Sequence, residues 1–167
     1  PVAALAKATP LFEDVSEKLN HEHHEDFFDD FERQPLLPNR LSQLGPGVAW
    51  SDVDGDGFDD LIIASGRGGK LGVFHNDQKG GFEKMPDPLF QATADQTTVL
   101  GWQNAAGKRG VLVGSSNFES GSAKTPVVVS YEAVSDALLG ANWKTSGEFP
   151  GQASSTGPLA LADVDGD

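Results

Sequence analysis

The stretch SDVDGDGFDDLIIAS, residues 51–65, constrains this chain more than any other. Asp52, Asp54, Asp56, Asp59 and Asp60 crowd together and then lead without a break into an apolar run. Two unit charges about 4 Å apart interact by roughly 1 kcal/mol in water, and by about 4 kcal/mol at a protein surface of effective dielectric near 20. A fold that gathers these side chains has several repulsions to relieve, and a counter-cation relieves them. Counted from Asp52, carboxylates occupy loop positions 1, 3, 5 and 9, and a glycine, Gly57, occupies position 6. A tightly curled loop with that spacing points its oxygens at one centre. Asp52, Asp54, Asp56 and Asp60 are the expected side-chain ligands, and the carbonyl of Phe58 fills position 7. Asp59 is expected to face solvent or a turn. All these donors are hard oxygens, which favours Ca²⁺ over Zn²⁺. Mg²⁺ is the weaker competitor, because it tolerates less irregular geometry and gives up water reluctantly.

The flanks narrow the loop class. An EF-hand needs a bidentate Glu at position 12, but Ile63 stands there, and the residues after the loop read as strand rather than helix. The chain has no cysteine, which removes disulfides, cysteine nucleophiles and thiolate metal sites. An acidic surface turn that binds nothing is the plain alternative, and five carboxylates at this spacing argue against it. With 12 Lys+Arg against 25 Asp+Glu the formal charge is −13, so the field repels phosphate backbones and anionic lipid. Nucleic acid is not an expected partner. Nor is membrane insertion expected, since no apolar run approaches the ~18 residues a helical crossing needs. A composition of 38% hydrophobic and 22% charged residues is that of a folding chain rather than a disordered one.

Residues 1–44 read as a mostly irregular, acidic leader. Leu11, Val15 and Leu19 suit one short helix, and Pro35 and Pro38 discourage helix just before them. From Gly45 onward the texture becomes strands punctuated by Gly, Asp and Asn. GVAWSD, DLIIAS, LGVFHND and GGFEKM describe one four-stranded antiparallel sheet. DLIIASG (60–66) and GVLVGSS (110–116) align at an offset of 50, which sets Trp102 against Asp52, Asn104 against Asp54, Ala106 against Asp56 and Gly107 against Gly57. The strand pattern survives and the carboxylates are lost. VVVS (127–130) suits a further strand of this middle unit. A third copy opens at GPLALADVDGD (157–167), with Asp163, Asp165 and Asp167 as an incomplete second metal loop. Units of this size are those of β-propeller blades. The expected fold is therefore all-β, a partial propeller of four-stranded antiparallel blades. A complete blade spans about 45–95, a degenerate one about 96–156, and a truncated third 157–167. A ring needs roughly four to eight blades, and the sequence stops inside a loop, so a fragment of a longer protein is expected.

The loop before DLIIAS and its restart at LALADVDGD resemble the calcium-binding FG-GAP or VCBS repeats of integrin α-subunits and of bacterial secreted propellers. Where the eponymous Gly-Ala-Pro would follow the strand, this chain has Ala64, Ser65 and Gly66. The stretch DFERQPLLPNRLSQLGPGVAWSDVDGDGFDDLIIASG also resembles bacterial ASPIC/UnbV-type proteins. The resemblance implies Ca²⁺ as the bound ion and a place outside the cell, at its surface or in the periplasm. It also implies a non-catalytic module that presents loops to a protein or glycan. The alternative is a carbohydrate-active enzyme on the same scaffold, a polysaccharide lyase or hydrolase, with its active site outside this fragment.

Other motifs carry less. NHEHHEDFFDD holds His21, His23 and His24 among acids, but adjacent His23 and His24 converge poorly, and an exposed polar leader is the expectation. SGRGGKLG lacks the first glycine and the Ser or Thr of a phosphate loop. His75 reads as a strand residue rather than a base, and Trp50 and Trp102 as repeating core positions. No acid, base or nucleophile cluster emerges, so the binding reading leads the catalytic one.

Overall fold

The computed structural model describes residues 11–86, 91–134 and 143–164. Its strands are β1 (Val48–Ser51), β2 (Asp60–Ile63), β3 (Gly72–Asn76), β4 (Phe82–Lys84), β5 (Gln96–Gln103), β6 (Arg109–Ser115), β7 (Val128–Ala133) and β8 (Trp143–Phe149). They form two antiparallel four-stranded sheets, ordered β1-β2-β3-β4 and β5-β6-β7-β8. The only helices among the described residues are single turns, α1 (Ser16–Leu19) and α2 (Asp30–Arg33). All four strands expected between residues 45 and 85 form, and VVVS runs into β7.

The two sheets share one core. Ile62, Ala64, Leu71 and Val73 of the first pack with Val99, Val111, Val113, Tyr131 and Trp143 of the second. The approach is closest between β1 and β5, where side chains are missing. A Cβ on Gly47 would lie 2.6 Å from Thr98 Cα, and Gly47 N donates to Gln96 O at 3.3 Å. A Cβ on Gly101 would collide with Ser51 Oγ.

All four residues of β2 are buried, as an apolar run suggests, but its second face meets something other than a sheet. Leu61, Ile63 and Phe74 form a separate cluster covered by Leu19 and Phe82, and the His21 ring stands edge-on to Phe74 at 5.4 Å. The leader is thus irregular yet folded onto the first sheet. Within the leader itself, Asp30 is fully buried and accepts bonds from Leu41 N, Ser42 N and Ser42 Oγ, which hold residues 30–42 together. Burial alone would push the Asp30 carboxyl up; those donors outweigh it and hold it below the ordinary value.

Two sequence readings need correction. The uniform offset of 50 fails at the hairpin: Leu61 pairs with Trp50, whereas Val111 pairs with Gly101. Trp102 therefore lies within β5 opposite Gly110, not in a loop position equivalent to Asp52. A one-residue slip exchanges the faces of a strand, so Trp50 and Trp102 do not share a site. Trp50 is 56% exposed, because β1 alternates and directs Ala49 toward the sheet–sheet core. Its ring meets Phe82 edge-on at 5.4 Å. The buried tryptophan is Trp143.

Candidate metal centre

The β1–β2 connection curls because its own carboxylates bind its own backbone. Asp52 accepts Gly55 N at 2.6 Å and Gly57 N at 3.1 Å, Asp54 accepts Asp56 N at 3.1 Å, and Asp56 accepts Phe58 N at 2.8 Å. Gly55 and Gly57 both adopt φ +90°, a left-handed conformation that glycine enters without a Cβ penalty. Gly57 thus makes the turn its loop position requires. Asp60 closes the hairpin at the start of β2, fully buried, and accepts Val53 N at 3.1 Å and Asn76 N at 3.0 Å. Asp59 contributes its carbonyl to Asn76 Nδ2 at 3.1 Å.

Asp52, Asp54 and Asp60 each offer an oxygen within 4.8 Å of the others. Ca–O distances of about 2.3–2.6 Å put oxygens on opposite sides of an ion roughly 5 Å apart, so this spacing fits. Asp54 Oδ2 is buried and accepts no aligned hydrogen bond, although His75 Nδ1 stands 2.8 Å away, so its charge is open to a cation. The hard-oxygen set and this orphaned atom both fit Ca²⁺. Asp56 belongs to a different group, with Asp54 and His75. Its carboxylate is drawn aside by Gln78 Nε2 at 2.9 Å. Phe58 is 46% exposed.

His75 is the residue the sequence reading passed over. It is a β3 strand residue, as expected, but its Nδ1 lies 2.8 Å from Asp54 Oδ2, without the alignment of a hydrogen bond, and 3.4 Å from Asp60 Oδ1. The signal was register: Phe74 pairs with Leu61, so the next residue along β3 falls beside Asp60. Burial, then Asp54, push the Asp60 carboxyl up, against the pull of Asn76 N, Val53 N and His75. Burial would also raise Asp56, but Phe58 N, Gln78 and His75 outweigh it and lower its carboxyl.

The second hairpin keeps the turn and drops the acid. Asn104 Oδ1 accepts Ala106 N and Lys108 N, each at 3.0 Å, and Gly107 has φ +77°. Arg109 from this hairpin reaches back to the first, with Nε 3.9 Å from Asp52 Oδ2. Asp163 is exposed at the start of the third loop, while Asp165 and Asp167 lie outside the described residues. His23 and His24 pair locally, with Glu25 at 3.2 Å and Asp26 at 3.5 Å. No metal-competent group among the described residues includes the leader histidines.

Residues 52–102 match the family model described as an FG-GAP-like repeat. The match begins at the first loop carboxylate, takes in β2, β3 and β4, and ends at Trp102 in β5. Neither the curated proteins nor the solved structures yield a match to the chain. Among the described residues, no helix is long and apolar enough to cross a membrane.

Proposed function

We propose that the chain is a Ca²⁺-binding repeat module of the β-propeller type, non-catalytic, which presents its loops to a protein or glycan outside the cell. The observation that carries this reading is the convergence of Asp52, Asp54 and Asp60 on a hairpin inside an FG-GAP-like repeat. In this reading Asp52, Asp54 and Asp60 hold the ion and His75 lines it, while Asp56 joins the shell with the Phe58 carbonyl only by releasing Gln78. The ion neutralises the crowded acids and fixes β1 to β2. The two sheets are consecutive blades, spanning about 45–95 and 96–156. A third begins near residue 157: after β8 the chain returns to β5, where Thr97 Oγ1 donates to Thr156 O at 3.3 Å, and to β6, where Thr156 N donates to Ser115 O at 3.2 Å.

The test is thermal unfolding with Ca²⁺ and with chelator. At free Ca²⁺ about 100 times its Kd, a site present only in the folded state adds roughly 2.7 kcal/mol, a Tm rise of about 5–10 °C for a chain of this size. Asp54→Ala removes the loop's share of that rise. Superimposable melting curves with Ca²⁺ and with chelator would refute the reading.

A further inference from the structure

A second group of carboxylates lies at the other end of the sheets. Strand direction alternates, so the β1–β2 loop closes one end, while the residues after β2, before β5 and after β6 close the opposite one. There Glu25 of the leader, Asp95 before β5 and Glu119 after β6 each bring an oxygen within 4.8 Å of the others. Asp95 is 7% exposed and the Glu119 side chain 6%. Asp95 Oδ1 accepts Arg67 N at 2.9 Å, but its buried Oδ2 accepts no hydrogen bond, and neither oxygen of Glu119 accepts one.

Three buried acceptor atoms on two carboxylates therefore lack a donor. A buried acceptor left unsatisfied is costly, and more so when it is charged. Native folds retain few such atoms without an ion or water to meet them. The facing cation is Arg67, whose Nη2 stands 3.4 Å from Glu119 Oε2 on a side chain 40% exposed. Glu25 Oε2 meets His23 Nε2 at 3.2 Å. Asp26 also acts on the Glu119 carboxyl, and Arg33 Nη1 meets the Glu119 backbone carbonyl at 3.0 Å, so four carboxylates gather against two guanidiniums and the excess is negative, which suits a cation. Burial, then Asp95, push the Glu119 carboxyl up, with Arg67 opposing, as crowding without a counter-ion would. The local backbone is shaped for this approach. Gly66 N donates to His24 O at 3.0 Å, and a Cβ on Gly66 would lie 2.6 Å from that oxygen and 2.8 Å from Glu25 Oε2.

We propose that Glu25, Asp95 and Glu119 form a second site for a hard divalent cation, Ca²⁺ before Mg²⁺, which clamps the leader to the end of the second sheet. The site is independent of the acidic hairpin, and its test is kept apart from that one. CaCl₂, and separately MgCl₂, is titrated calorimetrically into the full chain, Asp54→Ala, Glu119→Gln and the double variant. The expected Ca²⁺ stoichiometries are two, one, one and none, with affinity at the second site falling at least 100-fold in Glu119→Gln. A double variant that binds Ca²⁺ as Asp54→Ala does, or an Asp54→Ala protein that binds none, overturns the proposal. Mg²⁺ binding at the second site as tightly as Ca²⁺ overturns the stated preference. Should Glu119→Gln fail to fold by circular dichroism, Mn²⁺-soaked crystals of the unmodified chain decide: an anomalous peak bonded to Asp95 and Glu119 supports the site, and its absence overturns it.

Discussion

Replacing Asp60 by alanine isolates the structural part of the acidic hairpin from its metal chemistry. The carboxylate takes Val53 N at 3.1 Å and Asn76 N at 3.0 Å, so one side chain ties the loop to β3. Val53 is 3% exposed, and its stranded N–H would bear the desolvation penalty of a buried donor, about 1–3 kcal/mol. The partly buried N–H of Asn76 reaches water more easily and loses less. Opposing these losses, removing Asp60 relieves the burial and the repulsion from Asp54 that push its carboxyl up. The balance is a loss of about 2–3 kcal/mol, which at a urea m-value of roughly 2 kcal/mol/M lowers the midpoint by about 1–1.5 M. The measurement is urea unfolding in chelator, so that no ion contributes. Asp60→Asn keeps one acceptor oxygen but turns an amide donor toward the other N–H, and its midpoint falls between the two. An unchanged midpoint for Asp60→Ala in chelator would refute the staple.

Three further outcomes follow from the same geometry. Asp30→Ala lowers the urea midpoint by of order 1 M at neutral pH; because the folded carboxyl is held below its ordinary value, that stabilisation is present above about pH 4 and fades as pH falls through the folded value. Midpoints for both proteins at pH 6 and pH 3 test it, and a gap that widens on acidification contradicts the assignment. Gly47→Ala sets a Cβ 2.6 Å from Thr98 Cα, forcing β1 from β5 at a cost of about 1–3 kcal/mol, read as a lower melting temperature. Arg109→Ala withdraws a cation that faces Asp52 and tightens Ca²⁺ binding at the hairpin by about three- to tenfold; unchanged calorimetric affinity would mean that Arg109 does not compete.

Local chemistry made much of this protein legible. Alternation and turn residues marked the strands, and the spacing of aspartates around Gly57 marked the hairpin, because each signal is carried by neighbours in the chain. The apolar run DLIIAS suits a strand buried on both faces, as β2 is. It did not announce that one of those faces is closed by Leu19 of the leader, since an apolar side chain specifies burial and not the identity of its cover. The repeat offset failed where β5 runs on through Trp102, because offsets count residues while pairing is fixed by hydrogen-bond register.

By itself the sequence determined an all-β chain, its hairpin order and an acidic loop that calls for a cation. Only the tertiary structure decided that Trp50 lies outside the shared core, that His75 and Arg109 come to the loop, and that Glu25, Asp95 and Glu119 meet at the far end. Strand alternation and turn spacing act over a few residues and are written locally. Contacts between residues as far apart as Glu25 and Glu119 depend on how two sheets and a leader stack, and packing of that kind leaves no period in the chain.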